Sequence, residues 1–150
     1  AAITPQVDQT MISCNRNLER YQQFGYPIIT DSLSGYQGPL AGIAAALSSQ
    51  RCDVAITLPC DSPHPPEDLV FKLVGELTSD NYDLCYAWDG SRDQYLFSAM
   101  RYRCHVQLEH YLAQGGRSVK GFHQSLRCKR VDFSSQPQRF KNINAPADLG

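Results

Sequence analysis

Asp61 stands between Pro59 and Pro63, directly after the continuous apolar run 54–58, the pattern of a buried parallel strand. Two restricted φ angles fix its backbone. A carboxylate held in this way can be the single protein ligand of a Mg²⁺ ion, which commonly takes its other ligands from water and substrate phosphates. An Asp in a turn or N-cap ahead of the following helix has the same appearance, and the residue alone leaves both roles open. Asp31 follows a second strand-like run, 27–30, and Asn15 follows a third, 10–14. In open α/β sheets ligands bind in the crevice outside the carboxyl ends of the strands, so three polar residues occupy positions where chemistry is expected. After Asp31 come Gly35 and Gly38, then Pro39 and Gly42 at the start of the next helix. A glycine-bearing loop at a helix N-terminus suits an anion, because backbone N–H groups and the helix dipole point at it. An ordinary strand–loop–helix connection, with Gly42 serving packing, explains the same residues.

The elements that must carry these residues alternate between strand and helix patterns, the signature of an α/β domain. A short helix is expected over 18–24. A clearer one is expected over 39–50, with Pro39 in its first turn and Leu40, Ile43, Ala44 and Leu47 on one face. Another helix is expected from Glu67 through Leu77, with Glu67 and Asp68 in its first turn. Strand-like 84–88 leads through Asp89-Gly90 to 95–100 at hairpin distance, an antiparallel excursion in an otherwise parallel sheet. A helix over 106–113 stops at Gly115-Gly116, and a short strand lies near 130–133. With no repeat, low-complexity tract or linker, residues 1–150 form one domain.

Composition narrows the function class. The chain has 150 residues, 42% of them hydrophobic and 19% charged, and a formal net charge of -1. Those values describe an ordinary soluble protein rather than a disordered one, and a cytoplasmic location is expected. No basic stripe offers itself to nucleic acid. The longest apolar run, 40–47, is too short for a bilayer. Cys14, Cys52, Cys60, Cys85, Cys104 and Cys128 are widely spread with no C-x-x-C pair, so reduced structural thiols are expected rather than zinc ligands or a disulfide framework. His64, His105, His110 and His123 lack paired spacing and are expected in surface or structural roles. Trp88 and the tyrosines read as core or surface, and Ser118 has no evident base partner.

Taken together, Gly38-Pro39-Leu40-Ala41-Gly42 after a strand-end Asp, Pro59-Cys60-Asp61-Ser62-Pro63, and Asn142-Ile143-Asn144-Ala145-Pro146-Ala147-Asp148-Leu149 resemble the molybdenum cofactor guanylyltransferases. Asp89-Gly90-Ser91-Arg92 with Gln94, and Gly116-Arg117-Ser118-Val119, fall in the expected order between them. The resemblance covers essentially the whole chain. It implies a three-layer α/β/α Rossmann-like nucleotide-diphosphotransferase fold with a mostly parallel sheet. It also implies Mg²⁺-dependent transfer of GMP from GTP to molybdopterin, with release of pyrophosphate. Asp61 matches the family's metal-binding Asp and acts in catalysis. Asn15, Asp31 and Gly42 match the guanine-nucleotide side, while Arg117, Asn142 and Asn144 match the molybdopterin side. Partners expected on this basis are the two small-molecule substrates and molybdenum-insertion proteins or molybdoenzyme chaperones, with no nucleic acid and no membrane.

Three departures stand out. Family members open with a strand, a glycine-rich L-A-G-G-x-x-x-R-M-G loop and a Lys, and nothing like it is found here. The first β-loop-α unit is therefore expected to be missing, and the family's last helix to be cut short at Gly150. Tyr95 stands where many members have proline. Alternative functions are a related cytidylyl- or sugar-phosphate nucleotidyltransferase, or an inactive fragment that retains a molybdopterin or partner surface.

Overall fold

Apolar runs form strands and four-residue repeats form helices in the protein's structure, a computed structural model that describes residues 6–13, 25–26, 28–29, 38–59 and 62–141. In chain order these are β1 (Ile12–Ser13), β2 (Ile28–Ile29), α1 (Pro39–Ser49), β3 (Val54–Thr57), α2 (Leu69–Ser79), β4 (Leu84–Trp88), β5 (Asp93–Arg101), α3 (His105–Ala113), α4 (Val119–Gln124) and β6 (Cys128–Asp132). Single 3₁₀ turns occupy Tyr102–Cys104 and Pro137–Phe140.

β1 and β2 pair in parallel, and the remaining strands form a sheet of order β3-β5-β4-β6. β5 is antiparallel to both neighbours and β4 is parallel to β6, so β3, β4 and β6 share one direction and β5 alone is reversed. The reversed strand is not a peripheral excursion, because it lies between β3 and β4. In consequence β3, expected as a buried parallel strand, pairs antiparallel with β5 among the described residues and is only half-buried. The reversal is set locally. Asp89 Oδ1 accepts the N–H groups of Ser91 and Arg92 at 2.8 and 2.7 Å, and its Oδ2 accepts Gln94 Nε2 at 2.9 Å. Gly90 turns the chain with φ 99, a left-handed value that a side chain would resist. Burial pulls the Asp89 carboxyl up, but those donated N–H groups outweigh it and leave the group below its usual range.

The helices cover both faces of the sheet. Leu69, Leu73 and Leu77 repeat every fourth residue, so α2 presents one apolar stripe to Cys85, Ala87, Phe97, Ala99, Val131, Phe133 and Phe140. The opposite face carries Leu40, Ala44 and Leu47 of α1, Leu108 and Leu112 of α3 and Phe122 of α4, packed on Leu84 and Met100. Alternation along β4, Leu84 to one side and Cys85 to the other, serves both layers at once. This is the expected three-layer α/β/α arrangement.

Some boundaries differ from expectation for visible reasons. α2 begins at Leu69 rather than Glu67, because Leu69 N–H donates to Pro66 O at 3.1 Å and closes a turn that keeps Glu67 and Asp68 ahead of the helix. α4 was not expected. Its N-terminus is held by Ser118 Oγ, which accepts Gly121 N–H at 3.0 Å. The helix expected over 18–24 lies outside the described residues. Cys52, Cys85, Cys104 and Cys128 are free thiols, and burial first, then Asp83, pushes Cys128 up to about 12. Among the described residues, no helix is long and apolar enough to cross a membrane.

Candidate functional site

Two successive rows of side chains cross the sheet on the face covered by α1, α3 and α4. The lower row, Ala55, Met100, Leu84 and Cys128, is apolar and joins the core. Two residues nearer the carboxyl ends of β3, β4 and β6, the register places Thr57, Ser98, Tyr86 and Arg130 side by side. The sheet therefore changes from oily to polar where a ligand crevice is expected.

Thr57 Oγ1 donates to Leu96 O at 2.8 Å and lies 2.7 Å from the buried Ser98 Oγ. Arg130 Nη2 donates to Asp93 Oδ2 at 2.9 Å, while Nε lies 2.7 Å from Oδ1 as an ion pair without hydrogen-bond geometry. This charge-assisted contact ties β6 to the turn end of β5. Tyr95 donates its hydroxyl to the same Asp93 Oδ2 at 3.3 Å, and burial first, then the Asp93 charge, pushes that phenol up.

Tyr86, Tyr95 and His123 complete the group, with ring centroids 5.1 to 5.4 Å apart. His123 is 5% exposed and its Nδ1 has no hydrogen-bond partner among the described residues. Burial pulls the imidazole down to about 4, so it stays neutral at ordinary pH. An unfolded His takes its proton near pH 6.5. The folded pKa is the lower one, so the unfolded state gains protons first and stability falls as pH drops from about 6.5 to 4. The expected loss over that window is about 3 kcal/mol. Comparing denaturant midpoints of wild type and His123→Met at pH 7 and pH 4 isolates the contribution: the variant should lose less stability on acidification.

The segment after α3 forms a second polar feature. α3 starts beside the amino ends of the strands, where Tyr102 N–H donates to Asp53 O and Cys104 Sγ to Asp83 O. α4 returns beside Tyr86 and Tyr95 near the carboxyl ends. The loop between the two helices therefore lies toward the crevice end of the sheet. Its exposed residue Arg117 donates from Nη1 to Leu112 O at 3.1 Å, capping a carbonyl in the last turn of α3, and to Gly116 O at 2.6 Å in the turn that follows.

Of the residues singled out from sequence, Gly42 is buried within α1. α1 itself opens at Gly38, φ 91, with Pro39 in the first turn and no side-chain cap. Arg117 sits in the loop just described. Asn15, Asp31, Asp61, Asn142 and Asn144 lie outside the described residues, so their mutual geometry is not part of this site. The described chain leads up to them: β3 delivers Leu58 and Pro59, and the Pro137–Phe140 turn ends two residues before Asn142. Sequence reasoning missed Thr57, Ser98, Asp93, Arg130 and the Tyr86–Tyr95–His123 group. Strand alternation was the available signal for Tyr86 and Arg130, whereas His123 arrives from a helix that propensity did not reveal.

Residues 1–128 match the family described as the MobA-like NTP transferase domain. The molybdenum cofactor guanylyltransferase of Shewanella loihica is 38% identical over 144 residues, spanning 96% of this chain and 74% of that protein. The protein of the same name from Pasteurella multocida is 40% identical over 147 residues, 98% of this chain and 78% of its own. Among solved structures, molybdopterin-guanine dinucleotide biosynthesis protein A from Archaeoglobus fulgidus superposes with a TM-score of 0.74 at 21% identity, covering 99% of this chain and 80% of that one. At that identity the likeness speaks for the fold.

Proposed function

The chain belongs to the family of MobA-like NTP transferase domains, and from that premise we propose that it transfers GMP from GTP to the terminal phosphate of molybdopterin, releasing pyrophosphate. The observation that carries this reading is the 38% and 40% identity, over 96% and 98% of the chain, to proteins named for that activity.

In this reading the acceptor phosphate attacks the α-phosphorus of GTP, and the enzyme's task is to hold two mutually repelling anions in line. Asn15, Asp31 and Gly42 take the guanine nucleotide. Guanine presents N–H donors on its pairing edge, so a carboxylate or amide oxygen selects it over adenine. Arg117, Asn142 and Asn144 take the molybdopterin side, where a guanidinium suits phosphate.

Asp61 would hold a divalent ion, Mg²⁺, in the company of water and phosphate oxygens. The segment fits in its donor chemistry: the next residue, Ser62, has a buried Oγ with no hydrogen-bond partner among the described residues, and hydroxyl and carboxylate oxygens are the ligands a hard cation accepts. When bound, the ion neutralises charge on the transferring phosphoryl group.

The nucleotide assignment is tested by competition. With molybdopterin and Mg²⁺ present, pyrophosphate release by the full native chain should follow GTP, and an equal concentration of CTP should compete poorly. Preferential use of CTP would move the chain to the cytidylyl branch.

A further inference from the structure

One side chain shapes the whole loop that carries Arg117. The ring of Tyr111, half-buried near the end of α3 and 5.7 Å from the Phe122 ring, lies flat beneath Gly116. A Cβ built at Gly116 would overlap ring atoms Cε1, Cζ and Cε2 of Tyr111. A Cβ at Gly121 would come within 2.5 Å of the Tyr111 hydroxyl and 2.7 Å of Ser118 Oγ. Two glycines five residues apart thus leave room for one tyrosine. The hydroxyl donates to Ser118 O at 2.9 Å and lies 3.3 Å from Ser118 Oγ, the same oxygen that caps α4. Gly116 N–H donates to Tyr111 O at 2.9 Å, and Gly115 takes φ 92 to make the turn. Arg117 is therefore gripped on both sides: Gly116 rests on the ring, and Ser118 is tied to the hydroxyl.

We propose that Tyr111 is a positioning residue for phosphate recognition, setting through the Gly116–Ser118 loop where the Arg117 charge meets the acceptor substrate. The inference rests on the placement of Arg117 on the molybdopterin side. A guanidinium recognises a phosphate through a fixed planar geometry, so a loop that drifts by about an ångström loses affinity without touching the ligand itself.

The test uses Tyr111→Phe, Arg117→Ala and the double variant in the full native chain, with KM for each substrate, kcat and melting temperature measured. Tyr111→Phe keeps the ring and removes only the hydroxyl. It should raise KM for molybdopterin about fivefold, the effect of one hydrogen bond, with KM for GTP unchanged. In the Arg117→Ala background the same substitution should add less than about twofold, because residues acting as a unit are not additive. The inference is overturned if Tyr111→Phe leaves KM for molybdopterin unchanged, raises KM for both substrates alike, or adds its full effect to Arg117→Ala. If Arg117→Ala itself leaves KM for molybdopterin unchanged, the acceptor-side placement of Arg117 fails and this inference falls with it. A raised KM for Arg117→Ala beside an unaffected Tyr111→Phe removes the Tyr111 role alone.

Discussion

Asp61→Ala is expected to lower kcat for guanylyl transfer by about a thousandfold, with the melting temperature nearly unchanged. Charge on the transferring phosphoryl group is spread over its oxygens, and a divalent ion held against it supplies several kcal/mol of stabilisation. At about 1.4 kcal/mol per decade of rate, losing some 4 kcal/mol of that gives the thousandfold figure. The carboxylate follows a strand and sits between two prolines, so alanine removes the ligand with little change to the backbone. The Asp61→Asn variant keeps the shape and loses the charge, and should fall nearly as far. Chelation of Mg²⁺ from the wild-type enzyme should produce the same loss, reversed when the ion is added back. Turnover by Asp61→Ala within tenfold of wild type would leave the turn or N-cap role as the explanation of this residue.

Phe97→Ala should cost about 3–5 kcal/mol of stability, read as a fall in the urea midpoint at unchanged slope. Phe97 lies on β5, inside the sheet, and is 1% exposed. Its ring meets Phe140 edge to face at 4.8 Å, and Phe140 in turn meets Phe133 at 5.9 Å. Alanine leaves a void the size of a ring that neighbouring strands cannot collapse to fill. The loss also has a functional arm. Phe140 anchors the turn from which Asn142 follows two residues later, so at temperatures where the variant is still folded its KM for molybdopterin should rise more than its KM for GTP. A drop in stability below about 1 kcal/mol would mean that the aromatic group does not anchor this tail.

The fold was legible wherever local pattern and tertiary packing agree. The run at Leu84–Trp88, the Pro39 helix and the glycine stop after α3 all appear as expected, because each buries the face its own periodicity defines. Legibility ends where long-range contacts decide. α4 is six residues long and contains Gly121, so its propensity is poor; it exists because Ser118 caps it and Tyr111 packs against it. His123 carries no local sign of burial, since its neutral ring is defined by Tyr86 and Tyr95, 37 and 28 residues earlier in the chain. The pairing of Asp93 with Arg130 is equally distant in sequence. The position of β5 between β3 and β4 follows from register rather than from the hairpin turn alone. For the site, motif order pointed to Asp61, Asn15 and Asp31, and to the loop of Arg117. The structure adds for Arg117 what a motif cannot show, that its guanidinium also caps the carboxyl end of α3.

The most direct measurement is the mass of the product formed when the full native chain is incubated with molybdopterin, GTP and Mg²⁺. The expected product is molybdopterin bearing one added GMP, with one pyrophosphate released for each molecule formed. Unmodified molybdopterin after complete incubation, or a product carrying CMP when both nucleotides are supplied, would contradict the guanylyltransferase assignment.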